Sequence, residues 1–274
     1  MRVWTRRHPT GMAVELRYFN VMAKGVGPAL VLEYSGIEWK GNKDLGFHGG
    51  LWADLKPKTP FGQLPMLTLP NGEIVAQTTA IINYLGKIAG TEGSGRDYAL
   101  SQMLIGEAED LYSLLQKFVP TSFVSIDKKL GVEAYTHFWA KTVGEHVGRL
   151  EVLCPSSGFG TTPGALYLFS ILHQMVLACP GVHGGFWGAT DEFRGLRQWY
   201  ENTLDAPLTQ KVAIAAMRIC ISVLAVHCCR RCRCSLGRAQ WGRLYSTSSA
   251  STSSTLQHEA VAAGDRQPLP IIFP

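Results

Sequence analysis

The spacing of apolar positions along the chain changes once, near Gly90. Before it, apolar residues come in short clusters punctuated by glycine and proline. Glu15–Asn20 (ELRYFN), rich in large apolar and aromatic residues, predicts a strand. Gly27-Pro28 opens a helix, since proline is tolerated in a first turn, and Gly36 closes it. Ile37–Trp39 predicts a second strand, followed by a glycine-rich irregular stretch from Gly41 to Gly50. Leu64–Leu69 and Glu73–Val75 flank Pro70-Asn71-Gly72, and Asn-Gly between two apolar runs predicts a hairpin. Thr78–Lys87 carries Ile81, Ile82 and Leu85 on one face and predicts a helix. A β-α-β unit, a hairpin and a closing helix make one mixed α/β layer.

Beyond Gly90 the period lengthens. Thr91–Gly95 (TEGSG) reads as a linker, and helical spacing then runs through Ser101–Phe118, Gly131–Leu153, Leu166–Leu177 and Phe193–Leu204. Leu111, Leu114, Leu115 and Phe118 show the i, i+3, i+4 pattern. Tyr112, Tyr135, Phe138, Trp139, Tyr167 and Trp199 are read as core packing. The expected organisation is an N-terminal extension over 1–12, an α/β domain over 13–90, an all-helical domain over 97–212 and a tail over 213–274. Met12 is an alternative start.

Charge and cysteine set the tail apart. The 274 residues carry a formal charge of +5, and the tail's seven arginines against Glu259 and Asp265 account for all of it. The remainder balances 19 basic against 19 acidic side chains, which argues against a nucleic-acid-binding body. Five of the seven cysteines lie beyond Val212, so no disulfide framework runs through the body, which is expected to be reduced and cytoplasmic. No secretory signal follows the basic Met1–His8 segment, and no apolar stretch is clean enough to span a membrane. Three readings of the tail stay open. Ala213–Val226 with His227–Cys234 (HCCRRCRC) suits a lipidated, membrane-contacting segment. The cysteines with His227 suit zinc poorly, by their spacing. The third reading is a disordered extension without a folded role, which a protein ending at Val212 would not miss.

The α/β region holds no cysteine, which excludes dithiol chemistry there, and no phosphate-binding glycine loop. It does hold Tyr18-Phe19-Asn20, then Trp52 with Lys56 four residues on. Pro60-Phe61-Gly62-Gln63-Leu64-Pro65 follows, and then Gln77-Thr78 with Ala80, Ile81, Tyr84 and Leu85. In this order the motifs resemble the cytosolic glutathione S-transferases of the mu/sigma, haematopoietic prostaglandin D synthase-like group. The resemblance covers about 13–212 and is strongest over Leu16–Gly90. It implies a thioredoxin-like N-terminal domain followed by an all-helical C-terminal domain, α/β plus all-α.

The resemblance also implies a chemistry. Glutathione would be the co-substrate, with no metal, and its thiol, near ~8.5 as in free cysteine, is mostly protonated at neutral pH. Tyr18 falls where the family places a phenol that hydrogen-bonds the thiolate. Gln63, Leu64 and Pro65 fall at the family's cis-proline turn, whose backbone pairs with the cysteinyl unit. Gln77 and Thr78 stand at a helix N-terminus, which favours the γ-glutamyl carboxylate; Thr78 is equally a normal N-cap. Trp52 and Lys56 would hold the glycyl end, although Lys56 also reads as a solvated lysine. Lys24 stands where the family often has arginine and would support the phenol electrostatically, without arginine's bidentate geometry. Asp110 matches an acid contributed across a homodimer to the glutamyl amine.

One departure concerns the helix near Leu166. The family's Ser/Thr-x-x-Asp capping motif reads Thr162-Pro163-Gly164-Ala165 here, without the acid, a loss worth ~0.5–2 kcal/mol. Phe186–Asp191 reads as an insertion. The expected activity is conjugation of glutathione to apolar electrophiles, with glutathione-dependent isomerase or peroxidase chemistry using the same thiolate. A non-enzymatic ligand-binding or crystallin-like member is the alternative.

Overall fold

A computed structural model describes residues 13–19, 23–41, 52–118, 133, 136–137, 139–140, 144–178, 186–188 and 191–212. Expectations for the extension, most of the 41–50 stretch, Asn20, Tyr135, Phe138 and the tail lie outside these residues. The chain divides into compact units over 1–233 and 234–274, and every described residue belongs to the first.

The α/β layer forms in the expected order with shorter strands. Strand β1 (Val14–Arg17) pairs in parallel with β2 (Trp39–Gly41) and antiparallel with β3 (Met66–Thr68), which pairs antiparallel with β4 (Ile74–Ala76). The sheet order β2-β1-β3-β4 is thioredoxin-like. Strand β1 ends before Tyr18, correcting the expected end at Asn20. Helix α1 (Val26–Ser35) crosses over between the parallel strands, and Gly36 at φ 65° closes it in the left-handed conformation that glycine adopts at least cost. The hairpin turn follows its chemistry: Asn71 Oδ1 accepts the Glu73 N–H at 3.0 Å, and Leu69 N–H donates to Glu73 C=O at 2.8 Å. A short helix α2 (Trp52–Leu55) continues as a 3-10 turn over Lys56–Lys58. Helix α3 (Thr78–Ala89) closes the layer and ends at Gly90.

The helical half contributes α4 (Arg96–Phe118), α5 (Gly144–Leu153), α6 (Pro163–Ala178) and α7 (Arg194–Asp205), with 207–212 also helical. Helix α4 starts five residues before the expected Ser101, directly after Gly95 at φ 53°, with Asp97 in its first turn. Helix α6 is the hub, packed on α4, α1 and α3. Its Tyr167, Phe169, Ile171 and Leu172 are buried, and one apolar core joins them to Leu30, Ile81 and Leu111. Among the described residues no helix is long and apolar enough to cross a membrane.

The capping defect at α6 is compensated. Thr162 Oγ1 still accepts the Ala165 N–H at 3.4 Å, and Ser101 Oγ, from α4, accepts the Gly164 N–H at 3.0 Å. Gly164 lets the helix start sit against α4, because a Cβ there would overlap the Ser101 carbonyl. Ala165, standing where an acid was expected, is fully buried. The expected insertion also has a packing role. Phe186 and Trp187 are buried, Phe186 with its ring 4.6 Å from Trp139 and Trp187 5.3 Å from Tyr200.

Candidate glutathione site

Strand register gathers the predicted residues. Arg17 faces Met66 across β1 and β3, and Met66 faces Ala76 across β3 and β4. Continuing both registers one residue past the strand ends sets Tyr18, Pro65 and Gln77 in a row at one end of the sheet. Segments distant in sequence arrive there because β3 runs against its neighbours, so its beginning meets their ends.

Tyr18 is 6% exposed. Its phenol oxygen accepts the Lys24 N–H at 3.2 Å, which leaves the phenol proton free to be donated elsewhere. Burial first, and Tyr112 second, push the phenol well above its ordinary value, while the Lys24 amide pulls it back. A phenol so placed is a donor at neutral pH, never a phenolate. Lys24 meets Tyr18 through its backbone, while its ammonium lies 2.6 Å from Glu109 Oε2 and 4.9 Å from the centre of the Tyr112 ring.

The Leu64–Pro65 bond is cis, as the motif implied, and no group of the described residues pairs with the Leu64 amide. Gln77 has φ 74°, the one non-glycine residue with positive φ among those described. It occupies the N-cap position of α3 without a side-chain capping bond, which places Thr78 in the first helical turn and corrects its reading as N-cap. Gln77 Nε2 instead donates to Gln63 Oε1 at 3.2 Å. Thr78 is buried, and no hydrogen bond joins its hydroxyl to another of the described residues. No N-cap side chain takes up the first N–H groups of α3, an arrangement suited to a carboxylate.

Trp52 joins the group through Phe19, whose ring stands edge-on to the indole at 5.1 Å. Lys56 is exposed, with its stem running over Gly62, which allows either of its readings. Asp110 is not brought to the others. It lies exposed on α4, in register with Met103, Gly106 and Ser113.

Sequence reasoning missed Glu109 and Tyr167. Tyr167 donates to Glu109 Oε1 at 2.6 Å, so this carboxylate takes both the Lys24 ammonium and a buried phenol. The signal was periodicity: Ile105, Glu109 and Tyr112 share the inward side of α4, whereas Asp110 does not.

Residues 27–88 match the family described as glutathione S-transferase, N-terminal domain. Glutathione S-transferase 1 of Ascaris suum is 40% identical over 79 residues, 29% of this chain and 36% of that protein. Hematopoietic prostaglandin D synthase of Gallus gallus is 30% identical over 101 residues, 36% of this chain and 49% of that protein. The chain thus matches less than half the length of these curated relatives. Solved structures extend the likeness. The glutathione S-transferase of Ascaris lumbricoides superposes with a TM-score of 0.58 at 23% identity, over 74% of this chain and 97% of that one. The Pi-class enzyme of Onchocerca volvulus gives 0.60 at 16% identity, over 76% and 95%. At such identities the likeness is one of fold. In its N-terminal domain by sequence, and in the described body by fold, the chain resembles the glutathione S-transferases.

Proposed function

We propose that the protein is a glutathione transferase in which Tyr18 donates a hydrogen bond to the glutathione thiolate, and the thiolate attacks an electrophilic carbon of an apolar second substrate. The observation that carries this reading is the buried Tyr18 phenol, its oxygen already occupied by the Lys24 N–H and its proton free. A hydrogen bond to the charged form lowers a thiol's pKa, and each unit is worth about 1.4 kcal/mol. The backbone of Leu64 would pair with the cysteinyl unit, and Gln77, Thr78 and the α3 N-terminus would receive the γ-glutamyl carboxylate. Trp52 and Lys56 would hold the glycyl carboxylate, with Gln63 bracing Gln77. No step of this chemistry calls for a metal.

The same reading takes the protein as a cytoplasmic homodimer, in which exposed Asp110 reaches the partner's glutathione, with functional domains over 13–90 and 97–212. The relative named as a prostaglandin D synthase favours isomerisation as the second chemistry of the same thiolate. Retention on immobilised glutathione followed by a chloronitrobenzene conjugation assay tests the proposal. Retention with turnover supports it; retention without turnover on this or an isomerase substrate would leave a binding protein, and the transferase reading would be wrong.

A further inference from the structure

Behind Tyr18 lies a second set of contacts that glutathione binding does not account for. The turn 23–25 supplies the N–H that holds the phenol oxygen, and it is gripped from the helical half. Gln174 Nε2, on α6, donates to the Ala23 carbonyl at 3.4 Å. Glu109, on α4, takes the Lys24 ammonium at 2.6 Å, in a pair whose two side chains are each 29% exposed. Tyr167, fully buried on α6, fixes the other oxygen of Glu109 at 2.6 Å. The ring of Tyr18 itself lies against Gly25, where a Cβ would stand 2.5 Å from Cδ1.

We infer that Glu109 is a positioning residue for Tyr18: by anchoring Lys24 it fixes the amide that orients the phenol toward the thiol. This inference rests on the reading of Tyr18 as the thiolate's hydrogen-bond donor. The charged and titratable groups meeting Glu109 are Lys24 from the turn, Tyr112 from its own helix and Tyr167 from α6. Its carboxylate raises Tyr112 and Tyr167, yet Tyr18 is moved only by burial, Tyr112 and the Lys24 N–H. The geometry gives a route through the turn, where Glu109 holds the Lys24 ammonium and the Lys24 N–H holds the phenol; a direct effect through space is the other route. The distinction is measurable, because the two routes have opposite signs. Removing a nearby carboxylate through space lowers a thiol's pKa. Loosening the phenol weakens a hydrogen bond to the thiolate and raises it.

The test titrates thiolate absorbance with glutathione bound, beside thermal unfolding, for the wild type, Tyr18→Phe, Glu109→Gln and Glu109→Asp. Glu109→Gln keeps an acceptor for Tyr167 and loses the ion pair. It should raise the bound thiol's pKa by about one unit, leaving about ten-fold less thiolate at neutral pH. Glu109→Asp keeps the charge but shortens the arm, and should shift the pKa the same way by less; it decides the matter alone if the glutamine variant does not fold. A lowered pKa, or an unchanged pKa with only a lower melting temperature, overturns the inference while leaving the role of Tyr18 intact. Identical titrations for the wild type and Tyr18→Phe remove Tyr18 from the chemistry, and both readings fall together.

Discussion

Substituting Gly25 by alanine tests how tightly the Tyr18 ring is walled in. Gly25 has φ −78° and ψ −23°, which any residue adopts, so the effect is purely steric. The added Cβ would lie 2.5 Å from Tyr18 Cδ1, 2.6 Å from Cγ and 2.8 Å from Cβ. Carbon contacts settle at ~3.5–4.0 Å, so the ring must retreat by about 1 Å. Rotation about χ1 does not relieve the clash, because the root carbon is itself too close. Overpacking of this kind costs about 1–3 kcal/mol, and a displacement of about 1 Å at a reacting geometry costs on the order of 10²-fold in rate. Thermal unfolding and kcat/KM for conjugation measure the two effects. Gly148→Ala on α5 is the control, since its nearest neighbour would be Phe193 Cε1 at 4.0 Å. That change should be neutral or stabilising by about 0.4–1 kcal/mol. A Gly25→Ala protein with unaltered stability and kcat/KM would show that the turn does not confine the ring, and would refute the packing argument for the phenol's aim.

Tyr18→Phe removes the acceptor of the Lys24 N–H and should cost about 1 kcal/mol of stability, with turnover at neutral pH down about ten-fold or more and partly recovered at higher pH. Denaturant unfolding and a pH–rate profile check this, and a flat ratio to wild type across pH would count against it. His173 is buried with Nδ1 2.7 Å from the Tyr200 hydroxyl and Nε2 without a partner, and burial holds its pKa down at about 4. The folded state thus refuses a proton that the unfolded chain accepts near ~6.5. Stability should be intact above that pH and fall by up to about 3 kcal/mol as pH drops toward 4, then level off. His173→Gln should flatten this slope in urea melts between pH 4 and 6.5, and an unchanged slope would assign it to other groups. Ser101→Ala and Thr162→Ala should each lose about 0.5–2 kcal/mol of stability through the start of α6, read by thermal melts; no loss in either would mean that Pro163 alone starts the helix.

Local chemistry made much of the fold legible in the sequence. Asn71-Gly72 specifies its hairpin through contacts two to four residues long, and Gly36 and Gly90 stop their helices by adopting a backbone that other residues resist. The motif order around Tyr18, Leu64-Pro65 and Gln77-Thr78 identified the sheet end that the register then assembled. Long-range partnerships were not legible. Lys24 and Glu109 are 85 residues apart, and Tyr167 reaches the same carboxylate across 58. Composition cannot tell the adjacent carboxylates Glu109 and Asp110 apart; a turn of about 100° per residue on α4 sends the first inward and the second to solvent. The missing acid near Thr162 is offset by Ser101 on the neighbouring helix, 63 residues away, a partner that no local motif announces. Spacing along the chain determined which elements form. Which side chain meets which was decided by packing α6 against α4 and α1, since hydrogen bonds and ion pairs act only over a few ångströms and those distances exist only once the layers have closed.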